Sequence, residues 1–409
     1  MNPDFTFVMH HVGARGGACG FALPPAFHAD ALNVLYEPDT DCLKQVEERI
    51  SGTALKTMVL PYALGEKPGR AAFNFHLDPY TNSFRRVNPR YAGYSKFTQQ
   101  TDYLYAETIK PLRQVELEVR TIDALARGNQ PIPPPDFLLV DTEGTAYEVL
   151  AGARDSLNAR TLAVSVEVEF QPFWDGEKLF GDTWRLMDEL GFDLVAFPML
   201  SGASPHRAPV GLRGREFLIC GDALFLRRVD ALPGADEDGR WVAANKLACL
   251  AFWLGYTEYG VKVLAAADGL TPRAESRAQA AKLSYMKFIA DLRDAIAQTP
   301  ARLPPLFNAR YSAAAIQSRF EPSYAITVPG IKGRIKAHLI AHPRLLAAVR
   351  AMRRTIAKTA NAARNIVRNA RQWGAPRHSA FERVFVKYGF AEIADVIRTR
   401  RLAEAPFAR

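Results

Sequence analysis

The chain is short of the features that mark disulfide-stapled, zinc-binding or membrane-spanning proteins. Its 409 residues include only four cysteines, Cys19, Cys42, Cys220 and Cys249, scattered without CxxC spacing. No apolar run reaches the roughly 18–20 residues that cross a bilayer. The first residues lack a basic segment followed by an apolar one, so no signal peptide is expected and a reducing, cytoplasmic location is. Of the eight histidines, His10, His11, His28 and His76 are too dispersed to argue as metal ligands. Acidic residues are scarce at one end. Residues 331–409 carry 18 Lys and Arg against 4 Asp and Glu, whereas the remainder is mildly acidic, and the formal net charge of +9 averages over both. Such asymmetry suggests two jobs, or one job and an address.

With 48% hydrophobic residues the chain can bury a large core. Pro135 to Phe170 organises the reading. Phe137-Leu138-Leu139-Val140 is short and wholly apolar, as a strand buried on both faces should be. It stops at Asp141-Thr142-Glu143-Gly144, and a helical pattern follows with Ala146, Val149, Leu150 and Ala153 on one side. A second strand, Leu162 to Phe170, carries Glu167 and Glu169. Ligands of such βαβ units sit beyond the carboxyl ends of the strands.

The N-terminal half repeats this logic. Phe5 to Met9 runs into the glycine-rich turn Gly13-Ala14-Arg15-Gly16-Gly17, where the absence of Cβ lets backbone approach a ligand. Leu32 to Tyr36 ends at Glu37-Pro38-Asp39, and an acidic residue there is placed to accept hydrogen bonds from a ribose diol. Leu55 to Leu60 is a third strand, closing toward Ala63-Leu64-Gly65, and Arg70 to His76 alternates enough to pair as a β-ribbon. The polar, aromatic stretch from Asp78 to Ile109, with Asn82, Ser83, Arg85 and Tyr103, is expected to be an irregular lid or acceptor-binding loop. Val115 to Val119 reads as a strand and Thr121 as the cap of a short helix. After Phe170, a helix from Gly181 to Leu190, a strand from Asp193 to Phe197 and a last strand from Glu216 to Leu226 complete an alternating α/β chain.

These residues, in this order, resemble the FkbM-type methyltransferase family, which uses S-adenosylmethionine. Val12 to Gly17 resembles its first motif, Tyr36-Glu37-Pro38-Asp39 its ribose-binding motif, and Ala63-Leu64-Gly65 the stretch after its third strand. Asp141 through Ala153 is the most specific piece. Glu167 to Phe170, Leu179 to Asp182, Gly191-Phe192 and Gly221 to Phe225 repeat the later pattern, so the resemblance covers residues 5–230. It implies an α/β class I methyltransferase (Rossmann-like) fold, with a mostly parallel sheet whose last strand is antiparallel. It also implies methyl transfer, commonly to a hydroxyl of a sugar or natural product. Carried onto this sequence, the donor-binding positions are His11, Gly13, Ala14, Arg15, Gly17, Glu37, Pro38 and Ala63. His11 stands where the family usually has an acidic residue that helps hold the donor's amino-acid end. The main rival reading, a methyltransferase-fold binding or scaffold module without turnover, rests on that departure.

In-line methyl displacement depends on alignment and, for a sugar hydroxyl, on a base. Asp141 is the first candidate for that base and Glu143 the second. Asn82, Ser83, Arg85, Glu167 and Glu169 are the candidate acceptor-binding residues. Glu167 and Glu169 are expected to point to opposite faces, so that only one reaches the pocket. Asp141, Glu143 and a strand glutamate could hold a hard cation such as magnesium. With no Asp-Asp-Asn pattern present, no metal is assigned.

Residues 231–330 read as an α-helical extension, with helices over Asp236–Leu264, interrupted at Gly255, and over Arg277–Ala297. Residues 331–409 read as a basic helical tail, where Ile335, Leu339, His342, Leu345, Val349, Met352 and Ile356 share one apolar face. That face could pack on protein or lie on an anionic membrane surface, placing the chain at the inner face of the membrane. Phosphate contacts to nucleic acid, and with them RNA methylation, are the lesser alternative.

Overall fold

A computed structural model describes residues 5–16, 23–39, 42–43, 46, 48, 54–98, 101–299 and 378–404. The apolar runs become strands β1 (Phe7–Val12), β2 (Ala31–Tyr36) and β3 (Lys56–Leu60), then β4 (Ala63–Leu64), β5 (Gly69–His76), β6 (Ser95–Thr98), β7 (Thr101–Leu104) and β8 (Pro111–Arg120). Later strands are β9 (Phe137–Val140), β10 (Ala163–Glu169), β11 (Phe192–Ala203) and β12 (Phe217–Arg227). Seven of them form one sheet in the order β11-β12-β10-β9-β1-β2-β3. All pairings are parallel except those of β12, which runs antiparallel to both neighbours. This is the class I methyltransferase sheet that the resemblance implies. β1 and β9, every residue of each buried, lie at its centre.

The short helices are α1 (Tyr105–Thr108), α2 (Ile122–Ala126), α3 (Ala146–Ala151), α4 (Arg154–Ala159) and α5 (Phe180–Glu189). Thr121 caps α2 as read, its Oγ1 accepting the Ala124 N–H. Val149, Leu150, Leu157, Leu186 and Met187 from these helices pack with Val8, Val12, Leu138, Val140, Val164 and Val166 of the strands into one core. The C-terminal helices are α6 (Glu237–Trp253), α7 (Thr257–Asp268), α8 (Ala274–Ala280), α9 (Ser284–Ala297), α10 (Ala380–Lys387) and α11 (Ala391–Glu404). Trp253 of α6 meets Phe137 edge-on at 5.9 Å between ring centroids, and Tyr285 of α9 meets Phe7 at 6.1 Å, so helices cover the other side of the strands too. Residues Met1–Ala295 with Val384–Ile393 form one compact unit, and Ile296–Arg383 with Ala394–Arg409 a second. The apolar face read over Ile335–Ile356 lies outside the described residues. Among the described residues no helix is long and apolar enough to cross a membrane.

Two local outcomes differ from the sequence reading. The stretch 78–109 is not irregular: Ser95–Thr98 pairs antiparallel with Thr101–Leu104, and β5 pairs with β8 beside it. The helix read over Arg277–Ala297 is two helices, because Asp30, from before β2, accepts both the N–H and the Oγ–H of Ser284 and starts α9 afresh. At the amino end of β9, buried Asp136 accepts from Lys246 Nζ of α6 at 2.9 Å, from the Val8 N–H at 2.7 Å and from Arg160. Lys246 also donates to the Thr6 carbonyl at 2.7 Å, which pins the helical extension to the central strands.

Candidate active site

All parallel strands end at one edge, and the turns there build two adjoining cavities. At the end of β1, Gly13 takes φ +84°, a conformation that residues with a Cβ rarely adopt. A Cβ on Gly13 would meet the Asp141 carbonyl oxygen at 1.7 Å. The closure of β1 against β9 therefore needs glycine. Glu37, at the end of β2, is buried, and one of its oxygens accepts the Asp39 N–H at 2.9 Å. Burial raises its pKa above the usual carboxyl value, partly opposed by that hydrogen bond and by Arg15.

The first cavity is lined by Val12, Gly13, Arg15, Glu37, Pro38, Tyr62, Ala63, Asn82, Asp141, Thr142 and Glu143, among others. Asn82 Nδ2 and Thr142 Oγ1, both from lining residues, are buried without a hydrogen-bond partner. Orphaned polar atoms beside a glycine cradle and a strand-end carboxylate fit an adenosine-bearing ligand. Of the donor positions carried over from the sequence, Gly13, Arg15, Glu37, Pro38 and Ala63 line this cavity. Arg15 is ion-paired with Asp39. Ala14 packs instead with Leu35, Cys42 and Val46. His11 is buried and does not line the cavity; desolvation lowers its pKa to about 4. Gly17 lies outside the described residues.

The second cavity, about 290 Å³, is lined by Thr81, Lys96, Tyr103, Tyr105, Glu143, Glu167, Glu169, Phe173, Trp174, Met199, Ser201 and Cys220, among others. The 78–109 stretch thus supplies part of its wall. Both strand glutamates face this cavity, which corrects the expectation that they diverge: residues at i and i+2 of a strand share a face. Glu143 is the one lining residue that the two cavities share.

Asp141, Glu143 and Glu167 place one carboxylate oxygen each within 4.8 Å of the others. Two unit charges at that separation repel by about 3.5 kcal/mol at an effective dielectric constant of about 20. The three cannot all be ionised at neutral pH without strong opposition. Desolvation, then the charges of Asp141 and Glu169, lifts Glu143 well above the usual carboxyl range, and desolvation with Glu143 does the same to Glu167. Asp141 is raised by desolvation and held back by a hydrogen bond with Glu167. Glu169 is pushed up to about 8 by burial and then by Glu177. Hard oxygen donors so close together could also bridge a divalent cation.

Three acceptor-side assignments change. Asn82 lines the first cavity rather than the second, its Oδ1 accepting the His76 N–H. Ser83 and Arg85 line neither, and bond to protein backbone instead. The sequence reading missed Trp174 and Phe173, which wall the second cavity from the loop after β10. Their signal was the aromatic pair in Gln171-Pro172-Phe173-Trp174.

No curated protein matches the chain. Among solved structures, a methyltransferase FkbM from Methylobacillus flagellatus KT is 15% identical, aligned over 54% of this chain and 44% of that one, with a TM-score of 0.29. A magnesium protoporphyrin IX methyltransferase from Synechocystis PCC 6803, solved with bound SAM, is 10% identical over 55% of this chain and 71% of its own, with a TM-score of 0.27. The match to the first spans less than half of that protein's length. Likeness at these levels carries nothing about substrate. A family model does reach the residues themselves: from His11 in β1 to Leu194 in β11, residues 11–194 match the methyltransferase FkbM domain.

Proposed function

We propose that this chain is an S-adenosylmethionine-dependent O-methyltransferase acting on a hydroxyl of a glycan or related metabolite. The observation that carries the reading is Glu143, which lines a nucleoside-suited cleft on one side and an aromatic cavity on the other. Gly13, Glu37, Asn82 and Thr142 would hold the donor. Bound there, S-adenosylmethionine supplies an electrophilic methyl group. Tyr103, Tyr105, Phe173 and Trp174 offer flat apolar walls, and Glu167 and Glu169 offer acceptors at the floor, a combination suited to the faces and edges of a sugar ring.

Glu143 takes the acceptor's proton. Its raised pKa brings it closer to that of a hydroxyl than an ordinary carboxylate, which improves a base so long as it is deprotonated. Burial raises the pKa of both Asp141 and Glu167, which limits the charge beside the base. His11, the motive for a binding-only module, is buried outside the cleft lining. The reading predicts saturable heat on titration with S-adenosylhomocysteine. It further predicts release of that product when S-adenosylmethionine is incubated with the chain and a panel of methyl hexopyranosides. No saturable heat would defeat the donor assignment. Donor binding with release that no hydroxylated acceptor accelerates would defeat the acceptor class.

A further inference from the structure

Glu143 is the one residue with a Cβ that adopts a positive φ among the described residues, at 51°, and it is followed by Gly144 at 84°. Such a backbone persists only where its surroundings over-determine it. Below the turn lies Trp174, 1% exposed, so close that a Cβ on Gly144 would meet its ring at 2.4 Å. Above it, Ser83 Oγ donates to the Glu143 carbonyl at 2.6 Å and Arg85 Nε to the Gly144 carbonyl at 2.6 Å. The rest of the Arg85 fork reaches Glu148 Oε1 at 2.6 Å and the Asp175 carbonyl at 2.9 Å, so one guanidinium ties the turn to α3 and to the loop that carries Trp174.

This hook is itself braced. The Arg85 N–H donates to Ser83 Oγ at 2.9 Å, and Asn74 Nδ2 of β5 donates to the carbonyls of Ser83 and Arg85. Asn74 Oδ1 in turn accepts from Gln114 Nε2 of β8 at 2.8 Å. The sheet formed by β4, β8 and β5 thus reaches the turn through side chains, and Ser83 is fully buried in doing so.

We infer that Ser83 and Arg85 are positioning residues: they hold the Glu143 turn in its left-handed form and thereby keep the Glu143 carboxylate at the junction of the two cavities. The inference rests on the proposed role of Glu143 as base. It replaces the expectation that Ser83 and Arg85 touch the acceptor. Lysine cannot stand in for Arg85, because an ammonium is a point charge without a planar fork that reaches three separate partners.

The test compares Ser83→Ala, Arg85→Ala and Arg85→Lys with the wild type, using S-adenosylmethionine and whichever methyl hexopyranoside gives turnover. The expected result is a fall in kcat of about 10²-fold for both Arg85 variants, the size of loss that a small misplacement of a reacting group produces. Ser83→Ala should lose about ten-fold, as for one buried hydrogen bond. The acceptor KM and the S-adenosylhomocysteine affinity should stay within about two-fold, because uniform binding is untouched. Millimolar guanidinium should restore part of the Arg85→Ala rate, which it would not do for a merely unstable protein. In crystals of the variants, Glu143 should relax to negative φ. If KM alone rises, the two residues contact the acceptor and the inference is wrong. A left-handed Glu143 retained in the variants overturns it as well. Should Arg85→Ala not fold, Ser83→Ala decides by the same readouts. A wild type that neither binds the product nor turns over defeats the role given to Glu143, while the φ of Glu143 in the variants still decides whether the hook holds the turn.

Discussion

Replacing Glu143 by Gln keeps the side chain's size and removes one charge from the carboxyl cluster. The nearest oxygens of Asp141 and Glu167 lie within 4.8 Å, where a charge pair is worth about 3.5 kcal/mol at an effective dielectric constant of about 20. Losing that neighbour lowers the pKa of Glu167, which Glu143 helps to hold up. Loss of a positioned base slows turnover by about 10²–10⁴-fold. Both effects are read in one experiment, the pH dependence of kcat together with a carboxyl ¹³C titration of glutamate-labelled protein. In the wild type, kcat should rise with pH through a midpoint above the ordinary carboxyl range, because Glu143 must be deprotonated and its pKa is raised. In the Gln variant that limb should vanish and the Glu167 resonance should titrate at lower pH. S-adenosylhomocysteine should still bind. An unchanged kcat with the same acidic limb would refute the assignment of Glu143 as base.

Other consequences are as direct. Gly13→Ala forces a Cβ onto the Asp141 carbonyl at a φ of +84°; strain of about 1–3 kcal/mol should weaken S-adenosylhomocysteine binding at least about ten-fold by calorimetry. Glu169, raised from 4.5 to about 8, contributes stability that is fully present below its unfolded pKa and lost as pH rises through about 8. Denaturant unfolding between pH 5 and 9 should show the wild type losing at most about 5 kcal/mol more than Glu169→Gln. Lys246→Ala leaves Asp136 buried, with both side chains 2% exposed in the native pair. The loss should be about 3–5 kcal/mol, seen as a lower denaturation midpoint, and Asp136→Asn in the same chain should recover part of it.

The order of strands was legible because each one is an apolar run closed by glycine, proline or an acidic turn, and that pattern is local. The end of β9 at Asp141, the cap at Thr121 and the break at Gly255, which takes φ +84°, follow from residues within a few positions of each other. Gly13, Arg15, Glu37, Pro38 and Ala63, which line the first cavity, were legible for the same reason. What escaped the reading depends on residues far apart in the chain. Ser83 and Glu143 are separated by 60 positions and Lys246 and Asp136 by 110, so nothing in either neighbourhood announces the bond. Arg85 beside an aromatic loop looks like a substrate contact until the carbonyls it reaches are seen. The start of α9 was hidden likewise, since its carboxylate cap comes from Asp30, 254 positions away. Glu167 and Glu169 were a different matter: strand periodicity alone puts them on one face.

The central claim is that a methyl donor in the Gly13–Glu37 cleft meets an acceptor in the aromatic cavity beside Glu143. A crystal structure of the full chain soaked with S-adenosylhomocysteine tests it most directly. The account predicts the adenosine against Gly13 and Glu37, with the thioether sulfur at the opening between the two cavities, next to the Glu143 carboxylate. Product bound elsewhere, or a sulfur facing away from that opening, would contradict it.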